Sequence, residues 1–261
     1  MSLLSAERVR LAVGAERIDC VRLHGWRGKP GESMSCALAL QDGAPQFAEV
    51  GEWLGKAGGR LEVVVSNTWV RYAIVPWQDA LGNEALAIDF ARALFQQQYG
   101  DASTGWRVTL TPFYPRRPRV AVALDERWFA AIEALAARCG LRLTAVRPSL
   151  AAVLGRISRQ LPQDALLAMV EPRRLAMLQL AQGQWHSVHN RMLPANWALH
   201  LPGFITQARA ALGAFNTPLF IIAPQHDRPD LGLLQGTWLR LPPGSHFDPR
   251  RDQVLSMCLG V

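Results

Sequence analysis

Residues 61–77, LEVVVSNTWVRYAIVPW, contain two apolar runs of strand length that flank the polar triplet SNT at 66–68. The runs, 61–65 and 70–75, are rich in β-branched and aromatic residues, which favour strands. Pro76 closes the second run, because proline cannot donate a hydrogen bond to a neighbouring strand. The stretch therefore predicts two strands, and we expect them to pair with each other in one sheet.

The residues before this stretch predict three strands and a short helix. Apolar runs at 8–13, 17–23 and 34–40 indicate a meander with a glycine-rich loop at 24–33. Apolar residues then recur at helical spacing over 47–57. Two glycines follow as a helix stop, since glycine tolerates the left-handed conformation that ends helices.

The residues after this stretch predict three helices and three strands. In chain order they are a helix over 83–99, strands at 106–111 and 119–124, a helix over 125–139, a strand at 142–146 and a helix over 148–161. Asn83 and Asp125 are favourable N-cap residues, and Gly140 and Pro162 are helix stops.

The predicted order then begins again. The second half contains strands at 165–170, 174–180, 185–191, 218–222 and 237–241 and helices at 204–212 and 248–260. Internal duplication of one supersecondary unit predicts two lobes of the same construction. We place the first lobe at 1–160 and the second at 161–261, and the C-terminal helix at 248–260 could pack back toward the first lobe.

Arginine carries almost all of the positive charge. The chain has a formal net charge of +7, and lysine occurs only at Lys29 and Lys56. The planar guanidinium suits carboxylates and phosphates. The composition therefore favours an acidic protein, an anionic lipid or a nucleic acid as partner without choosing among them.

The sequence predicts a protein of the reducing cytoplasm. Its four cysteines are scattered without a CxxC pair, which indicates neither a disulfide framework nor a zinc site. No uninterrupted apolar run approaches the roughly twenty residues that span a bilayer, and residues 1–10 lack the apolar core of a signal peptide. We expect a soluble, unexported chain that is long enough to bury a full core.

Common catalytic and metal-binding motifs are absent from the sequence. The segment GEWLGK at 51–56 is one residue short of a P-loop, and Ala57 stands where a hydroxyl would bind magnesium. His186 and His189 are three residues apart on a predicted strand, so their rings point to opposite faces. The cluster HDRPD at 226–230 could supply metal ligands or a general base, but its composition is typical of turns.

Several segments together resemble a known family. They are the duplicated meander, residues 61–77, the helix EALAIDFARALFQQQYG followed by WRVTL, the strand RVAVAL with its helix ending in CGL, and the tail DQVLSMCLGV. This pattern is similar to the actin-like cytoplasmic proteins of type IV pilus and type II secretion assembly platforms, and it covers most of the chain. It implies an α/β, duplicated actin-like (RNase H-like) fold of two lobes, each with a mixed five-stranded sheet and flanking helices.

The same resemblance implies a nucleotide cleft between the lobes, and the sequence departs from its requirements. Such a cleft needs glycine turns at the phosphates and an acidic residue that organises magnesium. The turn at 11–16 keeps one glycine but has no aspartate on its strand, while 169–174 has no glycine and Pro172 removes an amide donor. The adenosine-side segment at 222–226 also lacks glycine. We therefore expect no cofactor, with Glu171 the one residue that could still hold a metal.

Arginines and tryptophans are the candidate residues for binding a partner. The loop at 112–118 mixes aromatic residues with arginines, as surfaces that contact anionic partners do. A second arginine pair follows Pro172. The candidate partner-binding residues are Arg116, Arg117, Arg119, Arg173, Arg174, Trp69 and Trp77.

The resemblance implies an adaptor and not an enzyme. It would be cytoplasmic, peripheral to the inner membrane, and one lobe's groove would bind a short cytoplasmic segment of a membrane-anchored pilus or secretion assembly protein. Contact with an anionic membrane surface and formation of a homodimer remain open. The alternatives are an ATP-binding or ATP-hydrolysing member of the same fold and, less favoured, a nucleic-acid-binding protein; we expect no nucleic acid partner.

Overall fold

The computed structural model describes residues 7–25, 28–226 and 235–261. The strands in these ranges are β1 (Arg8–Val13), β2 (Arg17–His24), β3 (Lys29–Ala37), β4 (Leu40–Gln41), β5 (Ala44–Pro45), β6 (Gly59–Val65), β7 (Val70–Val75), β8 (Trp106–Leu110), β9 (Arg119–Asp125), β10 (Leu141–Pro148), β11 (Ala165–Glu171), β12 (Arg174–Ala181), β13 (Gln184–Met192), β14 (Leu219–Ile222) and β15 (Thr237–Leu239). The helices are α1 (Ala48–Leu54), α2 (Glu84–Tyr99), α3 (Glu126–Arg138), α4 (Ser149–Ile157), α5 (Trp197–Leu212) and α6 (Ser256–Leu259).

The first five-stranded sheet has the order β10-β6-β1-β2-β3. β1 pairs antiparallel with β2 and parallel with β6, and β10 adds in parallel to β6. The predicted meander is present, but β3 begins at Lys29, so the loop before it is shorter than the predicted 24–33, of which residues 26–27 lie outside the described ranges. β3 is a mostly exposed edge strand, where polar residues and Pro30 are tolerated, and its start therefore lacks an apolar signal.

The second five-stranded sheet repeats this construction with the order β13-β12-β11-β14-β15. β11 to β13 form the antiparallel meander, and β14 and β15 add in parallel on the other side of β11. All residues of β11 are buried, as expected for a strand that is covered on both faces. The duplicated α/β fold with two mixed five-stranded sheets, predicted from the repeat, is confirmed.

The two sheets share a core. Leu11 and Val63 of the first sheet belong to the same cluster of buried residues as Leu167 and Leu178 of the second. The opposite face of the second sheet packs on α5 through residues such as Ile205. Burial of apolar surface therefore continues across the junction between the sheets and holds them together.

The predicted pairing within residues 61–77 is wrong. Both strands form, but β6 lies between β1 and β10, whereas β7 is an edge of a separate antiparallel sheet with the order β7-β9-β8. A turn closed by the Trp69 N–H, which donates to the Ser66 carbonyl at 3.0 Å, connects the two strands. The apolar run of β6 is buried between two neighbours, and α2 covers one face of the small sheet around Phe95.

The C-terminal helix is shorter than the predicted 248–260. Only Ser256–Leu259 is helical. Asp248 and Asp252 close a turn before it, because the Asp248 N–H donates to the Asp252 carboxylate at 2.8 Å. An aspartate that favours a helix N-cap favours such a turn equally well.

The C-terminal segment contacts the first sheet. The Arg10 guanidinium donates to the carbonyl oxygen of Cys258 at 3.1 Å, and α6 packs on β1 and β2. The strands of the first sheet end at Pro148 and those of the second begin at Ala165. A lobe boundary near residue 160 remains a prediction.

α5 begins earlier than the predicted helix at 204–212. It starts at Trp197 and contains Pro202, which lacks the N–H of an interior helical residue. Leu201 and Ile205 are fully buried against the second sheet. Their burial offsets the hydrogen bond that proline removes, and periodicity alone does not show this packing.

Truncation of Leu167 tests the shared core. Leu167 is fully buried on β11, so Leu167→Ala should lower the free energy of unfolding by about 2–5 kcal/mol in urea denaturation. Leu199→Ala is the matched control, because Leu199 is 79% exposed and its truncation should change stability by less than about 0.5 kcal/mol. Equal losses in the two variants would contradict the burial of β11.

Candidate functional site

The polar triplet after β6 binds a carboxylate of the second sheet. Glu171, the last residue of β11, is 3% exposed. Its Oε2 accepts hydrogen bonds from the Asn67 backbone N–H at 2.9 Å and from the Ser66 hydroxyl at 3.2 Å. Asn67 is itself fully buried, and its side-chain oxygen accepts from the Tyr72 hydroxyl at 2.6 Å. Burial raises the pKa of the Glu171 carboxyl above its ordinary value.

Side chains of β12 and β13 hold the same segment through its carbonyl groups. The Asn190 amide donates to the Asn67 and Val70 carbonyl oxygens at 3.4 and 3.5 Å. The Arg174 guanidinium donates to the Thr68 carbonyl at 3.3 Å. The turn between β6 and β7 is therefore fixed to the second sheet by a network of buried and part-buried polar contacts.

The two turns that approach phosphates in nucleotide-binding members of this fold lie close to each other. Arg173 forms an ion pair with Glu16 at 3.1 Å across the junction. Arg173 has a φ of 62°, a left-handed conformation that favours glycine, and it follows Pro172. The Trp69 indole N–H donates to the Gly14 carbonyl at 2.7 Å. The Arg173 and Trp69 side chains therefore connect the turn at 11–16 to the second sheet and to the turn after β6.

Among the described residues, the surroundings of Glu171 offer hydrogen-bond donors and no companion metal ligands. Two donors contact Oε2, and among the described residues no three or more His, Cys, Asp or Glu side chains are grouped so that they could hold a metal ion. Residues 227–230 of the predicted HDRPD cluster lie outside the described ranges. The donor set around Glu171 therefore suits a structural carboxylate.

A cleft of about 530 Å³ opens beside this network. Trp69 and Trp128 form one wall, with stacked rings whose centroids are 4.3 Å apart. Trp128 is fixed by its indole N–H, which donates to the Gly43 carbonyl at 2.8 Å. Further lining residues are Arg71, Trp106, Asp125, Arg173, Arg174 and Met192. The cleft combines an aromatic surface with three guanidinium groups.

Two of these arginines lack a carboxylate partner among the described residues. The Arg71 guanidinium donates to the carbonyl oxygens of Thr68 and Val70, both at 2.9 Å. Arg174 is 9% exposed, and its Nε is buried without a hydrogen-bond partner in the described ranges. Burial, together with the neighbouring charge of Arg71, lowers the pKa of Arg174. Three guanidinium groups therefore line the cleft, and among the described residues only Arg173 forms an ion pair with a carboxylate.

The predicted partner-binding residues fall into two groups at opposite ends of β7. Trp69, Arg173 and Arg174 meet at the cleft. Trp77 follows the other end of β7, which at six residues is about 20 Å long. Its ring lies 5.4 Å from that of Phe113, in the loop that carries Arg116 and Arg117.

Arg119 differs from the other predicted residues because it is buried. Its guanidinium binds both carboxylate oxygens of Glu84 at 2.6 and 3.0 Å and donates to the Thr111 carbonyl at 2.8 Å. Arg116 and Arg117, in contrast, are exposed. Arg119 therefore anchors α2 and the end of β8 and does not present its charge on the surface.

A second concavity lies in the first lobe, between its five-stranded sheet and the three-stranded sheet. It is small, about 80 Å³, and has room for an apolar side chain. Arg107 lies at this groove, with its guanidinium 3.8 Å from the centre of the Phe129 ring and 3.1 Å from the Glu126 carboxylate. The apolar lining residues are Val65, Val70, Val122, Leu124, Phe129 and Val146. We call this concavity the first-lobe groove.

The sequence analysis missed Arg71, Asn67 and Ser66 as residues of the site. Arg71 lies within an apolar run, where a single arginine gives no pattern. Ser66 and Asn67 follow a buried strand, as Glu171 does on β11. Polar residues at the end of a buried, mostly apolar strand were the available signal, because buried polar groups need partners.

Replacing Glu171 with glutamine tests the buried carboxylate. The pKa of Glu171 in the folded state lies above 4.5, the ordinary value for the unfolded chain. The stability that the protonated carboxyl contributes is therefore fully present below pH 4.5 and is lost as the pH rises through the folded-state pKa. Relative to Glu171→Gln, wild-type stability should fall above pH 4.5 by up to about 1.4 kcal/mol per pH unit. Urea unfolding between pH 4.5 and neutrality measures this difference.

Glu52→Gln, at an exposed position on α1, is the matched control and should follow the wild-type profile. If Glu171→Gln also follows the wild-type profile, the carboxylate is not buried as described.

Comparison with solved structures identifies the fold of the chain. Neither a protein-family model nor a curated protein sequence matches the chain. Solved structures do match it. The cytoplasmic domain of EpsL, an inner membrane component of the type II secretion system of Vibrio cholerae, is similar with a TM-score of 0.60 and 13% identity, over 96% of this chain and 93% of that chain.

Two further structures are similar over most of their length. The PilM-PilN type IV pilus biogenesis complex matches with a TM-score of 0.58 and 14% identity, over 83% of this chain and 81% of that chain. A Bacteroides thetaiotaomicron protein with an actin-like ATPase fold and unknown function matches with a TM-score of 0.59 and 8% identity, over 85% and 82%. No helix among the described residues is both long and apolar enough to cross a bilayer. The chain has the actin-like fold, and the resemblance drawn from its sequence is confirmed at the level of the fold.

Proposed function

We propose that this chain is a non-catalytic, actin-like adaptor in the assembly platform of a type IV pilus or type II secretion system. It would lie at the cytoplasmic face of the inner membrane and bind a short segment of a membrane-anchored partner. The observation that carries the proposal is the pair of hydrogen bonds that Glu171 accepts from Asn67 and Ser66. They give a structural role to the acidic residue of the crevice, by which we mean the space between the turns at 11–16 and 169–174. The similarity in fold to EpsL and to PilM-PilN supports the choice of system.

The chemistry of the crevice argues against nucleotide turnover. Phosphates in such clefts bind to successive backbone N–H groups in glycine turns. Here Pro172 has no N–H, the Asn67 N–H is already bonded to Glu171, and the Arg173–Glu16 ion pair lies between the two turns. A triphosphate would have to break these contacts and would meet the Glu171 carboxylate behind them.

The first-lobe groove is the site we assign to the partner's segment. β8 is an edge of the three-stranded sheet, and its exposed Thr109 lines the groove. An extended peptide could therefore pair with this edge while it places an apolar side chain between Val122 and Val146. Arg107 and Arg147 at the same groove would favour an acidic residue beside that side chain.

The loop at 112–118, which carries Arg116 and Arg117, supports an association with an anionic membrane surface. Arg116 and Arg117 are exposed, and Phe113 and Tyr114 beside them are 40% and 58% exposed. Arginines with exposed aromatic residues suit lipid headgroups. This contact would add to the attachment that the membrane-anchored partner provides.

Blocking the groove tests the adaptor function. The probe is a synthetic peptide of the cytoplasmic segment of a bitopic pilus or secretion assembly protein from the same organism. Thr109→Arg fills the groove from an exposed position, so it should weaken binding at least tenfold in isothermal titration calorimetry without changing the fold. Thr104→Arg is the matched control, because Thr104 is exposed and lies outside the groove. Absence of binding to wild type, or equal losses in both variants, would contradict the proposal.

Thermal melting with magnesium and ATP tests the alternative function. A ligand that binds only the folded state adds about 2.7 kcal/mol of stability at a hundred times its dissociation constant. We expect the melting temperature to stay the same at millimolar Mg-ATP, while the partner's peptide raises it. A rise of several degrees with Mg-ATP would favour an ATP-binding protein instead.

A further inference from the structure

The cleft beside Trp69 contains a buried cation that is incompletely bonded. Arg174 is 9% exposed, yet its one hydrogen bond among the described residues is to the Thr68 carbonyl at 3.3 Å, and its Nε has no partner there. Buried polar groups are nearly always bonded, so a buried guanidinium N–H without a hydrogen-bond partner is costly. The arrangement indicates a position for an anion.

A second guanidinium faces the same space. Arg71 lines the cleft beside Arg174, and their charges repel each other. Arg71 bonds to backbone carbonyls of its own turn, not to a carboxylate. A bound anion would stabilise two like charges that line one cleft and form no ion pair among the described residues, because it would accept hydrogen bonds from both.

The cleft also has an apolar surface next to this charge. Trp69 and Trp128 are stacked, and Met192 lies at the cleft with 63% of its surface exposed. A ligand that fits both features carries an anionic group and an adjoining apolar body. An acidic residue next to an apolar one in a peptide has this composition.

We propose that the cleft between the two sheets binds a glutamate or aspartate side chain of a protein partner, held by Arg71 and Arg174, with a neighbouring apolar residue on the surface of Trp69 and Trp128. This inference rests on the proposed adaptor function for the nature of the partner. It assigns a site separate from the first-lobe groove. The adaptor would then contact two acidic, partly apolar segments at two places.

The charge around the cleft favours a carboxylate over a phosphate. Asp125 lines the cleft, Glu171 lies behind Arg174, and Glu16 pairs with Arg173. These carboxylates repel any anion, and they repel a doubly charged phosphate more strongly than a singly charged carboxylate. A carboxylate carries one charge and matches the planar fork of a guanidinium with two parallel hydrogen bonds.

Three small probes test the ligand chemistry. They are acetyl-Leu-Glu-Leu-amide, its glutamine counterpart acetyl-Leu-Gln-Leu-amide and inorganic phosphate. Titration of each into the full chain is followed by the NMR signal of the Arg174 Nε–H group. We expect the glutamate peptide to shift this signal with a dissociation constant at least tenfold lower than those of the other two probes. Equal affinity for the glutamine peptide, tighter binding of phosphate, or no shift with the glutamate peptide would overturn the proposal.

Substitution of Arg71 tests the site without altering the buried arginine. Arg71→Gln keeps a hydrogen-bond donor for the turn carbonyls and should weaken binding of the glutamate peptide at least tenfold. Arg92→Gln is the matched control, since Arg92 is exposed on α2 and pairs only with Asp89 among the described residues; it should bind as wild type does. Unchanged binding by Arg71→Gln would overturn the assignment.

The outcomes separate this inference from the proposed function. If the partner's segment fails to bind while the glutamate peptide binds the cleft, the adaptor function fails and the carboxylate site stands. If the segment binds through the first-lobe groove and the glutamate peptide does not bind the cleft, the inference fails and the adaptor function stands.

Discussion

The hydrogen bond from the Asn67 backbone N–H to the Glu171 carboxylate is the contact on which the arrangement of the molecule depends. A carboxylate with 3% exposure is costly unless donors surround it. Here the donors come from the turn between β6 and β7, so the first sheet, the small sheet and the second sheet meet at one buried group. Tyr72 and Asn190 bond to the same turn and complete the network. Buried hydrogen bonds of this kind favour one arrangement of the elements around them.

The turn that makes this contact separates the two strands of residues 61–77, which do not pair with each other. Local composition predicts both strands correctly, since Val, Ile and Tyr favour extended backbone. Their partners are set by contacts that are distant in sequence: β6 pairs with β1 and β10, and β7 with β9. The meanders at 8–24 and 165–192 were predictable because their strands pair with sequence neighbours through short turns. The duplication itself was visible in the order of elements.

The site was partly predictable for the same reason. Residue type alone singled out arginines and tryptophans as candidate partner-binding residues, and the structure groups Trp69 with Arg173 and Arg174. It places Trp77 at the other end of β7. Arg119 is buried because Glu84, at the start of α2, reaches it across the small sheet. The sequence gives no local sign of such a contact.

The crevice of this actin-like fold connects the two sheets, and its acidic residue, Glu171, is hydrogen-bonded to Asn67 and Ser66 of the same chain. A crystal structure of the protein grown with magnesium and a non-hydrolysable ATP analogue tests this claim most directly. The account predicts that the Glu171 carboxylate stays within hydrogen-bonding distance of the Asn67 N–H and that the crevice holds neither nucleotide nor metal. Density for a magnesium ion on Glu171, or for phosphates between the turns that contain Gly14 and Arg173, would contradict it.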